Sequence, residues 1–371
     1  MKIAQITKYF YPHRGGIESH VLGISKEFVE KGLNVKVFTS NIPKGKRREE
    51  INGIKVFRSP VFFTFSNGPF SPGILMDLLN NDYDLIHLHL PDPFFSIFAY
   101  IASLIKRKPL VVTYHADIIK DRWYEKLLKI IYYPILYLIL RHSKRIIATS
   151  PNYVKESSVL KHFIDKIEIA PNFVDEKRFN PDVSGENIRR RYKLENKKVV
   201  LFLGRFVPYK GIEYLIDAFI RVKDNIENSV LLLVGDGVLR KKLMNLAKDE
   251  ENIIFIKPKE NEIPEYYAAC DLFVLPSITR QEAFGITLLE AMATGKVCIT
   301  TNISGMPYVV NNCGIKISPK DVDALKYAII ELLGNDAYRK RMGKCGRKRV
   351  EEYFTRKRVA DIIFNIYKNI V

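Results

Sequence analysis

The sequence predicts an α/β chain built as two doubly wound domains facing a central cleft. Three observations carry this prediction: the length, two separate series of short β-rich runs alternating with amphipathic stretches, and a polar segment between the series. A chain of 371 residues exceeds what one hydrophobic core ordinarily supports, so two domains of ordinary size follow. Its 47% hydrophobic and 27% charged residues belong to a globular chain and exclude wholesale disorder.

The first series runs "KIAQIT", "NVKVFTS", "IKVFRS", "DLIHLHL", "PLVVTYH" and "RIIATS". Most of these are separated by amphipathic segments, the rhythm of a parallel sheet covered by helices on both faces. The second series is "KVVLFLGR", "SVLLLVG", "IIFIK", "DLFVLP" and "KVCITT", with helical stretches such as "GIEYLIDAFIRVKD" and "VLRKKLMNLAKDE" between them. Between the two lies "PDVSGENIRRRYKLENKK", Pro181 to Lys198, which is polar apart from a short helix pattern and reads as the linker. The expected domains are therefore 1–180 and 181–354, followed by a final amphipathic helix over 355–371.

The formal charge of +18 calls for an acidic partner: nucleic acid, an anionic membrane surface or a phosphorylated small molecule. No stretch interleaves aromatic and basic residues in the pattern of RNA-binding strands, so nucleic acid is not expected. Cys270, Cys298, Cys313 and Cys345 are scattered with no C-x-x-C pair. Neither a zinc site nor a disulfide framework follows, and a reducing compartment fits this usage. The opening "MKIAQITKYFYP" lacks the apolar core of a signal peptide and reads as a first strand, which points to a cytoplasmic protein. The apolar run Ile130 to Leu140 falls well short of the roughly 20 residues needed to span a bilayer.

In open parallel sheets, ligands bind beyond the carboxyl ends of the strands, so the loops there hold the candidate residues. After the first strand, Gly15 and Gly16 precede a helix, where close backbone approach and free N–H groups suit an anion. "PLVVTYHAD" delivers His115 and Asp117 to a strand end, as "DLIHLHL" does His87 and His89, and spacing alone does not separate a functional histidine from a surface one. "GRFVPYKG" brackets a short loop with Arg205 and Lys210, two cations of the kind a diphosphate asks for. Gly235 and Gly237 form a further turn before a helix, a place where a base or ribose can lie.

The stretch "RQEAFGITLLEAMATG" puts Glu282 in a loop before Gly285. Ile286 to Thr294 then make one helix, closed by Gly295. Glu282 stands over the helix start and Glu290 lies within the helix, where a carboxylate can accept hydrogen bonds from both vicinal hydroxyls of a ribose.

Together "YPHRGGIESHV", "VVTYHAD", "APNFVDEKRFNP", "GRFVPYKG", "VGDG" and the E-x7-E pattern of "EAFGITLLEAMATG" resemble, over nearly the whole chain, the retaining glycosyltransferases of family 4. That resemblance implies the GT-B fold of two Rossmann-like domains, the first on the acceptor side and the second binding a nucleotide sugar. It implies transfer of a hexose from a UDP- or GDP-sugar to a glycan or lipid-linked acceptor, without metal or cofactor, the nucleotide-diphosphate sugar being a co-substrate. By the same resemblance His115 contacts the donor sugar, Arg205 and Lys210 neutralise the leaving diphosphate, and Glu282 holds the sugar. Gly15 and Gly16 lie against the diphosphate and the acceptor side, Gly235 beside the nucleotide, the backbone of Phe284, Gly285, Ile286 and Thr287 against sugar and phosphate, and Glu290 on the ribose. The final helix crosses back to the first domain. Two departures stand out: "KPKENEIPEYY" follows "NIIFIK" where relatives carry a glycine turn, and Phe173 stands where many have glycine.

The basic aromatic segment "WYEKLLKIIYYPILYLILRHSKR" reads either as an interfacial helix on an anionic membrane or as core of the first domain. Two other functions stay open on sequence alone: a nucleotide-sugar epimerase of the same architecture, and a non-catalytic protein that binds anionic surfaces.

Overall fold

The computed structural model describes residues 1–13, 15–65, 68–118, 123–222 and 225–371, with the side chains of 123–129 left aside. The leading part of the basic aromatic segment thus lies outside the described side chains. The chain divides into two compact units, Met1–Asn172 with Arg356–Val371, and Phe173–Thr355.

In the first unit the strands are β1 (Lys2–Ile6), β2 (Asn34–Ser40), β3 (Arg48–Ile51), β4 (Ile54–Ser59), β5 (Phe63–Phe65), β6 (Gly68–Phe70), β7 (Leu85–Leu90), β8 (Leu110–Tyr114), β9 (Arg145–Ala148) and β10 (Ile167–Ile169). Eight of them form one sheet in the order β10-β9-β8-β7-β1-β2-β4-β3. Every pair in it is parallel except β3 with β4, which form an edge hairpin. β7 is buried along its whole length, as a strand covered on both faces must be. Because β2 and β7 both neighbour β1, the connections leave β1 in opposite directions, and a crevice opens at the carboxyl ends of β1 and β7.

The second unit holds β11 (Lys198–Leu203), β12 (Ser229–Val234), β13 (Ile253–Ile256), β14 (Leu272–Leu275), β15 (Val297–Thr301) and β16 (Gly314–Ile317), in the order β13-β12-β11-β14-β15-β16. All pairs are parallel. Numbered within the unit this is 3-2-1-4-5-6, the Rossmann order, with its reversal between β11 and β14. The helix Ile212–Val222 buries Ile212, Leu215, Ile216, Phe219 and Val222, the i, i+3, i+4, i+7 stripe that glues a helix to a sheet.

The segment 181–198, read as a linker, is a packed part of the second unit. It forms the helix Glu186–Arg191 and buries Ile188 and Leu194. Its polarity misled because Arg189 spends its guanidinium on the Leu194 carbonyl at 3.0 Å and on Asp271 at 3.1 Å. The passage between units falls instead at Asn172–Phe173 and again at Thr355–Arg356. A parallel bridge between Val174 and Thr355 ties these two stretches together.

The C-terminal stretch forms two helices, Asp336–Tyr353 and Arg356–Lys368, of which the second belongs to the first unit. There Arg356 meets Glu27 at 2.7 Å and Tyr367 is fully buried. Cys313 and Cys345 form a disulfide with Cα atoms 5.3 Å apart, a pairing the scattered sequence positions did not signal. The approach of the helix Asp336–Tyr353 to the start of β16 brings the two thiols together.

Close packing of that helix rests on Gly343, where a Cβ would run into the carbonyl of Gly295. Gly343→Ala is therefore expected to lower stability by about 1–3 kcal/mol, the usual range for overpacking. Urea unfolding of wild type and variant checks it, and an unchanged midpoint contradicts it.

Candidate functional site

In the second unit the candidate residues gather at the carboxyl ends of β11 and β14, the two strands at the reversal. Their loops are stitched together: Ile278 N–H donates to the Tyr209 carbonyl at 2.8 Å. Gly211, at φ +65°, leaves no room for a Cβ beside the Pro276 carbonyl, so only glycine allows this approach. Lys210 and Glu282 form an ion pair with both side chains about nine-tenths buried. The Ser277 hydroxyl also donates to Glu282 at 3.3 Å. Arg205 is exposed and donates to the Tyr209 hydroxyl at 3.0 Å. The cation and carboxylate given separate tasks by sequence thus neutralise each other here, while Arg205 faces solvent.

The helix Ile286–Ala293 begins at Gly285, whose φ of +82° sets the entry turn. The Ile286 and Thr287 N–H groups donate to no described residue, and the buried Thr287 Oγ1 has no partner among the described residues. Two backbone donors and a hydroxyl at the positive end of a helix are groups with which an anion can pair. Within the same helix Glu290 accepts from the Tyr267 hydroxyl at 2.7 Å. Burial pushes its carboxyl up to about 7, the Tyr267 hydrogen bond opposing that rise. Thr294 and then Gly295, at φ +74°, close the helix. Phe284 is buried in the core, so what it offers a ligand is backbone.

Gly235 serves packing first. A Cβ there would strike the Gly204 carbonyl, and one at Gly237 would strike the backbone of Phe206. These glycines let the β11 and β12 loops touch.

In the first unit Gly15 caps the helix Gly16–Glu30 with extended backbone. The Glu18 carboxylate lies against Gly15 and pairs with His13 at 3.3 Å. A carboxylate of the chain itself therefore occupies the neighbourhood proposed for an anion. Asp117, which sequence placed beside His115, anchors its loop by accepting from Tyr114 at 2.9 Å and Ser157 at 2.7 Å.

His115 follows β8 and is 7% exposed. It belongs to a cluster of four buried imidazoles, with His89 stacked at 5.4 Å and His20 edge-on at 5.1 Å between centroids. Burial, reinforced by the neighbouring imidazoles, holds His115 and His89 well below the usual histidine range. It lowers His87 to about 3 and His20 to about 4. At neutral pH all four rings are uncharged.

Comparison with known proteins gives the family. Residues 14–178 match the family described as Glycosyltransferase Family 4, and residues 184–349 the family described as Glycosyl transferases group 1. The chain is 30% identical to the O-antigen chain mannosyltransferase C of Escherichia coli, over all of this chain and 99% of that one. The chain belongs to the family 4 glycosyltransferases of GT-B fold. The glycosyltransferase is also 28% identical to the D-rhamnosyltransferase WbpZ of Pseudomonas aeruginosa, over 92% of this chain and 88% of that one. Among solved structures it superposes on Anabaena HepE in complex with UDP with a TM-score of 0.81, at 20% identity and complete coverage of both chains.

Sequence reasoning passed over Tyr267, Ser277 and Glu18. Nothing in "EIPEYYAAC" or "LPSI" announces a partner for a glutamate many positions away, although Glu18 stood inside a quoted motif. The buried pair gives a direct test. Lys210→Met strands the Glu282 charge and is expected to cost the glycosyltransferase about 3 kcal/mol. Adding Glu282→Gln removes that charge and recovers most of the loss. Denaturant unfolding of both variants reads the difference, and equal stability of single and double variant contradicts a coupled pair.

Proposed function

We propose that this glycosyltransferase moves a hexose, with retention of configuration, from a UDP- or GDP-sugar to a glycan or lipid-linked acceptor. One observation carries the reading: the N–H groups of Ile286 and Thr287, which donate to no described residue, lie on the helix that bears Glu290, just after the Lys210–Glu282 pair, all beyond the strand reversal. That set offers hydrogen-bond donors to a diphosphate and acceptors to sugar hydroxyls. On this reading Glu282 holds the donor sugar, Glu290 the ribose, and Arg205 and Lys210 the diphosphate as charge builds on the leaving oxygen. His115 contacts the donor sugar. Gly16 allows close backbone approach to the donor, while in the free protein Gly15 packs against the Glu18 carboxylate and Gly235 against the Gly204 carbonyl.

The acceptor oxygen attacks the anomeric carbon on the face from which the diphosphate departs. A leaving phosphate oxygen takes the acceptor proton, so the protein supplies electrostatics in place of a base. This differs from retaining hydrolysis, where a carboxylate attacks the sugar. No metal and no cofactor enter the scheme. The mannosyltransferase and rhamnosyltransferase relatives support a hexose-type donor.

Peripheral contact with an anionic membrane belongs to the same proposal. The helix Trp123–His142 exposes Ile130, Ile131 and Leu138 while burying Leu136, Ile139 and Leu140, so an apolar outer face accompanies the basic flanks. Among the described residues no helix is long and apolar enough to cross a membrane.

A melting screen over UDP-, GDP- and ADP-sugars identifies the donor, because a ligand of the native state raises its stability. With that donor, Glu282→Gln is expected to reduce transfer by about a hundredfold or more, as loss of a group acting on the transition state does. Full activity would remove Glu282 from the mechanism, and isomerised donor without transfer would favour the epimerase reading.

Glu290 supplies a pH test. Burial pushes its carboxyl up to about 7, and the ionised form is the better acceptor for two hydroxyls. Binding of UDP or GDP then releases a proton below pH 7, and affinity rises by up to about tenfold between pH 6 and pH 8. Calorimetry at the two pH values measures it, with Glu290→Gln expected to flatten the dependence.

A further inference from the structure

Behind His115 lies a buried polar network whose other members have no part in the scheme above. Parallel register places Gln5 beside His87 on β1 and β7, and His89 beside Thr113 on β7 and β8. Alternation along a strand then puts Gln5, His87, His89, Thr113 and His115 on one face of the sheet. The helix Arg356–Lys368 belongs to the same unit and adds Tyr367, whose ring packs on His87 at 5.5 Å between centroids.

These groups form an unbroken chain of hydrogen bonds. His115 Nε2 meets His89 Nδ1 at 3.1 Å, and His89 Nε2 meets Gln5 Oε1 at 2.7 Å. Gln5 Nε2 donates to the Tyr367 hydroxyl at 3.3 Å. The Tyr367 hydroxyl bonds His87 Nδ1, and His87 Nε2 meets Thr113 Oγ1 at 2.6 Å.

The Gln5 amide sets the direction of the whole chain, because its oxygen accepts only and its nitrogen donates only. Since Oε1 faces His89, His89 must carry its proton on Nε2. Its bare Nδ1 then accepts, so His115 must also be protonated on Nε2. On the other side Tyr367 accepts from Gln5 and gives its own proton to His87 Nδ1, which leaves His87 protonated on Nε2 and donating to Thr113. Every ring is neutral and each link has one donor and one acceptor. Partnering of this kind is what makes so many polar groups tolerable inside a sheet.

We propose that Gln5, His87, His89 and Tyr367 are positioning residues for His115, a one-way relay that fixes its ring in orientation and as the neutral Nε2–H tautomer. His115 Nδ1 is left as the one remaining hydrogen-bonding atom of the ring, and it can only accept. A hydroxyl of the donor sugar is the partner it suits, a statement that rests on the role given to His115 under the proposed function. The terminal helix thus completes the site chemically, by supplying a hydroxyl in mid-relay.

The test uses the full chain with isotope-labelled histidine and reads each imidazole by long-range proton–nitrogen correlation. Signals are assigned by single His→Gln variants. His87, His89 and His115 are expected to show protonated Nε2 and bare Nδ1, with no titration between pH 6 and 8. Tyr367→Phe frees the Gln5 amide to turn over, and His115 should then appear as a mixture of tautomers. Thr113→Val leaves the His87 Nε2–H without an acceptor and should bias the relay toward the opposite direction, with His115 protonated on Nδ1. A wild-type His115 protonated on Nδ1, or His115 signals unchanged in both variants, overturns the relay.

Turnover of the sugar nucleotide selected by the melting screen keeps the two claims apart. Tyr367→Phe and Thr113→Val are expected to lower kcat by about tenfold or more with little change in KM, as loss of positioning does. If His115→Ala turns over normally, the donor-sugar role of His115 fails whatever the tautomers show. If it is inactive while both relay variants match wild type in kcat, the relay does not position the ring.

Discussion

Two parallel strands cannot be joined by a tight turn, and this constraint shapes the whole molecule. Apart from the passage from β2 through the β3–β4 edge hairpin, the connections cross over one face of the sheet, mostly through a helix. Where successive crossovers leave a strand in opposite directions, no helix covers the carboxyl ends and the loops there stand apart. In the first unit this happens at β1 and β7, in the second at β11 and β14. Gly15, the histidine-bearing strands, the Lys210–Glu282 pair and the helix that carries Glu290 all belong to these two neighbourhoods.

The two neighbourhoods manage buried polarity differently. At the β11 and β14 ends charge meets charge, with Lys210 against Glu282, while two backbone N–H groups and a threonine hydroxyl at a helix start have no partner among the described residues. A ligand that completes their hydrogen bonds gains what the free protein forgoes. Under the β1 and β7 ends the opposite holds: an amide, a phenol, a threonine and three imidazoles are joined in series. Desolvation keeps those rings neutral, and neutral rings can each both donate and accept.

Glycine in this chain shows why one residue type supports two readings. Gly285 is needed for its left-handed backbone at the helix entry. Gly235 and Gly237 instead make room for neighbouring backbone. Sequence treats both as ligand turns, because a missing Cβ looks the same whether a ligand or another loop fills its place.

The sequence by itself determined the α/β class, eleven of the strands through their β-rich runs, and the helix from Ile286 closed by Gly295, since hydrophobic period and turn chemistry are local properties. It also carried the family, through motifs held in order along the chain. Only the tertiary structure decided that 181–198 is packed and not a linker, that Cys313 meets Cys345, and that Lys210 pairs with Glu282. It alone joined His115 through His89 and Gln5 to Tyr367, near the far end of the chain. Each of these depends on which strands become neighbours and on which residues face one another across them, and no local pattern encodes that pairing.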